Sequence, residues 1–242
     1  MKIALSQTQP IAGAIASNLG THLEYIKQAV TMKADLIVFP ELSLTGYEPR
    51  LAKTHAVLLD DAYLQIFSEV SSKHNITICF GVPLQTEEGI TISMLIYQPK
   101  RALQIYTKQH LHPDEEPFFM EGNKQIWLEI KKMKVAPAIC YESYVEEHNK
   151  IALKNTDAMY MVSVAKTEDS IKSAGFYYAE ISKAYSTTIF AVNSVGLSDD
   201  IICGGQSGVW GSDGKIKGQL DASHPGILVY DTETEETQKH YW

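Results

Sequence analysis

Apolar positions along the chain change their period repeatedly, and each change marks the edge of an element. Residues 3–6, apolar up to Ser6, read as a short buried strand. Leu19, Leu23, Ile26 and Val30 recur at helical spacing and predict an amphipathic helix over 17–32. Residues 36–39 are continuously apolar and closed by Pro40, as in a strand covered on both faces. A second helical pattern covers 61–73, and strand patterns then crowd together at 76–82, 90–97, 103–107, 126–130 and 134–139. Helix returns over 145–153, strand over 158–164, helix over 171–186 and strand over 189–195. The remainder alternates short strands with turns such as Ser212-Asp213-Gly214.

Helices at both ends of this order, around a central run of strands, predict an α/β domain in which helices cover sheets. No repeat of fixed period and no linker rich in Gly, Pro and Ser interrupts it, so residues 1–242 are expected to form a single domain. A hydrophobic share of 45% and a charged share of 21% are ordinary for a soluble globular protein. The net charge of −8 argues against nucleic acid and anionic membranes as partners, because both recruit basic surfaces. No run reaches the roughly 20 apolar residues of a membrane span, and the first apolar stretch is too short for a signal peptide. The three cysteines are odd in number and far apart, which argues against a disulfide framework and for a reducing cytoplasm.

Candidate chemistry lies at strand ends. Glu41 follows the run at 36–39, Lys108 follows 103–107, and Cys140 follows 134–139. In sheets covered by helices, functional groups gather beyond the carboxyl ends of strands. A carboxylate, an ammonium and a thiol placed there match amide hydrolysis: the thiolate attacks, the carboxylate moves protons and the cation meets the oxyanion. Each residue also has a plainer reading: Cys140 as a small buried hydrophobe, Glu41 as a loop cap, Lys108 as a solvated lysine. Cys79 reads as core, and Cys203, beside Gly204-Gly205, as a loop residue within reach of a pocket. His110 and His112 with Asp114, Glu115 and Glu116 suggest a metal site, but Pro113 intervenes and no distant third ligand is evident. With His110 as the base of a Cys-His hydrolase, Glu41 would have no role. No metal and no cofactor are expected.

Local motifs sharpen this reading. The segment from Phe39-Pro40-Glu41 to Thr45-Gly46-Tyr47 resembles the first signature of the nitrilase, or carbon–nitrogen hydrolase, superfamily. Tyr106-Thr107-Lys108-Gln109-His110-Leu111 resembles the second, and Ala138-Ile139-Cys140-Tyr141-Glu142 the third. Gly205-Gln206-Ser207-Gly208 is similar to the segment that follows the catalytic region. The resemblance implies a four-layer α-β-β-α sandwich, a Glu41-Lys108-Cys140 triad, and a homodimer or larger assembly. It also implies a second glutamate near the lysine, Glu115, with Glu116 exchanged for it by a one-residue loop shift. Two departures stand out. Many relatives carry Asn-Pro-x-x-Trp where this chain has Val162-Ser163-Val164-Ala165-Lys166, and Arg-Ala…Asn where it has Ile181-Ser182…Tyr185. Both lie where pocket shape and the dimer face are set, so the branch stays unassigned.

The expected activity is hydrolysis of a non-peptide C–N bond in a small amide or N-carbamoyl compound, through a Cys140 thioester, with release of ammonia or an amine. A cysteine with a pKa of roughly 8.5 is only a few per cent thiolate at neutral pH. Lys108 is expected to favour that thiolate and Glu41 to accept the thiol proton. The Lys108 ammonium and the Tyr141 backbone N–H would stabilise the oxyanion, and Glu115 would orient the lysine. Tyr47, Tyr141 and Glu142 are candidate substrate contacts. Regions for NAD synthesis or glutamine channelling are absent from the sequence, which predicts a stand-alone enzyme. The reading from another class is an inactive nitrilase-like scaffold.

Overall fold

Alternation along the first strand, β1 (Lys2–Gln7), sends Ile3 and Leu5 to one face and Ala4 to the other. Both faces are buried, so this strand lies between two apolar layers. The computed structural model describes residues 1–154 and 158–242. The chain continues through α1 (Ile15–Thr31), β2 (Leu36–Val38), α2 (Ala52–His55) and α3 (Gln65–His74). The strands β3 (Thr77–Gln85), β4 (Ile90–Tyr97) and β5 (Gln104–Thr107) complete the first half. There follow β6 (Leu128–Ile130), β7 (Met133–Ile139), α4 (Glu146–Ala152), β8 (Ala158–Ser163), α5 (Glu168–Ala184) and β9 (Ile189–Val192). The last strands are β10 (Val195–Ser198), β11 (Ile201–Gly204), β12 (Gly208–Trp210), β13 (Ile216–Gln219), β14 (Gly226–Asp231) and β15 (Thr237–Tyr241).

They pair into a seven-stranded sheet, β15-β14-β1-β2-β3-β4-β5, and a six-stranded sheet, β13-β12-β9-β8-β7-β6. Three apolar layers follow from the side-chain alternation. Leu36, Val38 and Met94 of the first sheet meet Val135, Met161 and Phe190 of the second in the layer between the sheets. Tyr25, Ile26 and Phe67 of α1 and α3 cover the outer face of the first sheet, over Ile37, Ile78 and Phe80. Ile171, Ala174 and Tyr178 of α5 cover the outer face of the second, over Tyr160, Val162 and Ala191. This is the four-layer α-β-β-α sandwich. No described helix is long and apolar enough to cross a membrane.

Two local expectations change. The run at 189–195 is two strands, because Asn193 and Ser194 interrupt it and their polar groups bind neighbouring loops. Cys203 lies in β11 rather than a loop, and β10 and β11 pair as a ribbon separate from both sheets.

Candidate active site

Parallel pairing of β1, β2 and β3, and of β7, β8 and β9, brings the carboxyl ends of strands from both sheets to one edge of the sandwich. Glu41 begins the turn after β2. That turn presses onto β3 so closely that a Cβ at Gly81 would collide with Leu42 N. Two buried polar residues of α1 hold it: Asn18 Nδ2 donates to Leu44 O at 3.0 Å, and His22 Nε2 lies 3.0 Å from Ser43 Oγ. Burial pushes His22 down to about 4, so the ring adds no charge beneath Glu41 at neutral pH.

Lys108 follows β5 and is wholly buried. Its Nζ donates to Glu41 Oε1 at 2.7 Å and to Glu115 Oε1 and Oε2 at 2.7 and 2.8 Å. Burial alone would lower its pKa, but the charges of Glu41, Cys140 and Glu115 raise it above the ordinary lysine value. The two carboxylates differ in one respect. Glu115 also accepts from Tyr47 Oη and from the His112 backbone N–H, each at 2.8 Å, so both of its oxygens are engaged. Glu41 Oε2 is buried and has no hydrogen-bond partner among the described residues. Burial raises the Glu41 pKa, against Lys108, which lowers it, and with Glu115, which raises it further. The Cys140 thiol lowers it weakly as an S–H donor, although the contact falls outside strict hydrogen-bond geometry.

Cys140 stands at the end of β7 with φ of +50°, where the chain enters a tight turn over Cys140–Tyr144. A left-handed non-glycine residue costs on the order of 1–3 kcal/mol and persists only where its surroundings dictate it. Here Ser143 Oγ donates to Cys140 O at 2.7 Å, and Glu142 holds the flanking backbone. Its Oε1 accepts from Ile139 N at 2.5 Å and its Oε2 from Gln109 N at 2.6 Å, so one carboxylate joins the loop carrying Cys140 to the loop carrying Lys108. Tyr106 Oη donates to the same group at 2.7 Å, and burial pushes Glu142 up to about 7.

The structure brings Glu41, Lys108, Glu115 and Cys140 together. Glu115 is buried and Glu116 exposed, which separates the two glutamates that sequence left exchangeable. Tyr47 and Tyr141 line a cleft of about 680 Å³ that opens on Cys140. Glu142, read from sequence as a substrate contact, does not line it; a wholly buried carboxylate engaged by two backbone N–H groups and Tyr106 is a bracket. Lys108 does pull the thiol pKa down, as expected, but that pull does not decide the net direction. Burial and then Glu41 push Cys140 up to about 11, against the opposing pull of Lys166 and Lys108. The residue is half-buried and borders the cleft. Lys166 is the site residue that sequence reasoning passed over. Its only signal was the departure at Val162–Lys166. His110 and His112 pack edge-on against His148 and Tyr141, and among the described residues no cluster of three His, Cys, Asp or Glu is placed to hold a metal ion.

The sequence model of the carbon–nitrogen hydrolase family matches residues 2–240. A glutamine-dependent NAD(+) synthetase of Acinetobacter baylyi is 28% identical over 253 residues, which is 99% of this chain and 45% of the synthetase. The chain thus spans less than half the length of that relative. An omega-amidase of Escherichia coli is 27% identical over 144 residues, covering 59% of this chain and 55% of the amidase. Among solved structures, an amidase of Nesterenkonia sp. AN1, with acrylamide added at its active-site cysteine, superposes with a TM-score of 0.86 at 22% identity. That match covers 96% of this chain and 92% of the amidase. At that identity it is the fold that is shared. With one family matched along almost its whole length, the chain belongs to the carbon–nitrogen hydrolase family.

Proposed function

We propose that the chain hydrolyses a small amide or N-carbamoyl compound with Cys140 as nucleophile, Glu41 as proton shuttle and Lys108 as oxyanion partner. The observation that carries this reading is the free oxygen of Glu41: a buried, unpartnered Oε2 among the charges around Cys140, on a carboxyl whose pKa is raised. A carboxylate with every lone pair engaged cannot take a proton without breaking a bond. Glu41 has a whole oxygen open, and Glu115 has none.

In the proposed reaction Cys140 rests as a thiol. Glu41 takes its proton as sulfur attacks the carbonyl carbon, and the C–O electron pair moves onto oxygen. The positive charge of Lys108, whose three N–H go to Glu41 and Glu115, and the Tyr141 N–H, in the first turn of a helix where backbone donors lack intrahelical acceptors, stabilise the oxyanion. Glu41 then protonates the leaving nitrogen as the C–N bond breaks, leaving a thioester on Cys140 and ammonia or an amine. Water, giving its proton to Glu41, cleaves the thioester to a carboxylic acid and restores the thiol. Glu115 holds Lys108 charged and in place without joining the proton transfers. The amidase and omega-amidase relatives support amide chemistry as the starting point.

Ammonia release from a panel of small primary amides and carbamoyl compounds, paired with intact-mass detection of the acyl adduct, tests the reading. Turnover with an adduct on Cys140, both lost in Cys140→Ala, is expected. A Cys140→Ala protein that still turns over amide sinks the proposal.

A further inference from the structure

Two cations line the cleft, Arg50 at its exposed rim and the half-buried Lys166, and the reaction above uses neither. Lys166 lies three residues beyond β8, the strand paired in parallel with the strand that ends at Cys140. Its backbone is gripped on both sides. Lys166 N donates to Asn193 Oδ1 at 2.8 Å, and Lys166 O accepts from Asn193 Nδ2 and from Gly204 N, each at 2.9 Å. The side chain therefore starts from a fixed base, and its Nζ sits 4.7 Å from the centre of the Tyr144 ring.

Each carboxylate around it already has another cation or histidine as its partner. Lys108 lies between Glu41 and Glu115, Arg50 pairs with Asp199 and Asp200 at 3.8 and 3.0 Å, and Asp114 meets His112 at 3.3 Å. Among the described residues no carboxylate stands within ion-pair distance of Lys166. Burial acts to lower its pKa, but the charges of Cys140, Tyr178, Tyr144 and Glu41 outweigh this and raise it, so the ammonium stays charged. A half-buried ammonium that lies over the Tyr144 ring, with no carboxylate beside it among the described residues, still has N–H donors to offer. Two uses are open: holding the Cys140 thiolate, or holding an anion on the substrate. The first fits poorly, because the thiol keeps its proton with Lys166 already in place. The cleft also has far more room than a small acyl group fills. Asp114 and Asp200 on its rim are well exposed, so water weakens their repulsion of an anion held at Lys166.

We infer that Lys166 binds a carboxylate on the acyl part of the substrate, so that the site takes the mono-amide of a dicarboxylic acid in preference to a neutral amide. This rests on the amide-hydrolysing reading of Cys140. Succinamate and butyramide differ only in a carboxylate against a methyl group, and their ratio of kcat/KM is the first measurement. The wild type is expected to favour succinamate by about tenfold or more, with the preference shrinking as salt rises. Lys166→Met should cut the ratio roughly 30-fold, and Lys166→Arg should restore part of it. A wild-type preference for butyramide overturns the inference without any variant.

The second measurement needs no turnover. Alkylation of Cys140 by iodoacetate and by iodoacetamide, each displacing iodide, compares an anionic with a neutral reagent on one sulfur. The iodoacetate-to-iodoacetamide rate ratio should exceed that of a simple thiol and fall in Lys166→Met. Equal slowing of both reagents would assign Lys166 to the thiolate and refute carboxylate binding while leaving the amidase reading intact. Failure of Cys140 to take either reagent, with no amide turned over, would remove both.

Discussion

Glu41→Gln separates two things that the site holds together, the acidity of the nucleophile and the transfer of its proton. The amide is nearly isosteric, and its oxygen can still accept from Lys108 Nζ, which keeps Glu115 as its second partner. What disappears is the free carboxylate oxygen and one negative charge. Removing the charge takes away the largest electrostatic contribution that raises Cys140, so the thiol should ionise below its present value of about 11. Removing the oxygen takes away the proton shuttle, which general acid–base catalysis values at about 10²–10⁴-fold in rate. Thiol acidity and turnover should therefore move in opposite directions. The pH dependence of Cys140 alkylation should shift to lower pH, while kcat for amide hydrolysis falls by about two orders of magnitude or more.

Stability supplies an independent sign. The folded-state pKa of Glu41 is raised, so its contribution is fully present below the unfolded carboxylate range and is lost as pH rises through the folded value. At neutral pH the buried carboxyl is thus a net cost that glutamine relieves. Glu41→Gln should melt higher than the wild type at pH 7, each 1 kcal/mol being worth about 2–4 °C in a chain of this size. The gain should fade in acid, where the wild type carries the proton. Near-normal turnover in Glu41→Gln, or a melting temperature below the wild type at pH 7, would show that the base has been misplaced.

Three further outcomes are expected. Sub-stoichiometric iodoacetamide followed by peptide mass spectrometry should label Cys140 well before Cys79 or Cys203, since only Cys140 borders the cleft while the other two are buried; an even spread refutes this. Glu142→Gln should destabilise the fold by about 1–3 kcal/mol in thermal or chaotrope melts, because an amide presents an N–H to one of the two backbone donors that the carboxylate satisfies. Light scattering at micromolar concentration should give the mass of a homodimer or larger assembly, as the family resemblance predicts; a stable single-chain mass would contradict it.

The layers were legible in sequence because apolar period survives burial. The strand at 90–97 coincides with β4, and the helical repeat of Leu19, Leu23, Ile26 and Val30 lies within α1. Elements built on polar contacts were not legible. The turn at Cys140–Tyr144 depends on Glu142 reaching Ile139 N, and the break after β9 depends on Asn193 binding Lys166 and Gly205. Neither has a hydrophobic period to announce it. At the site, signatures named the residues that meet around Lys108 but could not tell a cleft wall from a bracket. Glu142 sits two positions from Cys140, yet the chain turns its carboxylate inward. The sign of the thiol shift was misread for a related reason: counting charges along the chain finds Lys108, but the desolvation that outweighs it comes from packing by both sheets.

These corrections bear on why the site is assembled as it is. A buried lysine, a strained nucleophile and an unpartnered carboxyl oxygen each disfavour folding, so each must be held by something rigid. Lys108 and Glu115 form the rigid part, a fully bonded pair further fixed by Tyr47 and the His112 backbone. Glu142 extends that rigidity to Cys140 by bonding backbone on both loops, so the nucleophile is placed relative to the lysine without touching it. With those positions fixed, Glu41 can be left one bond short. Loosening the bracket should therefore hurt catalysis through geometry, with little change in the acidity of the thiol. Removing Glu41 should change acidity with little change in geometry. A variant of Glu142 that shifted the alkylation pH profile as Glu41→Gln does would mean that position and protonation are not held by separate groups.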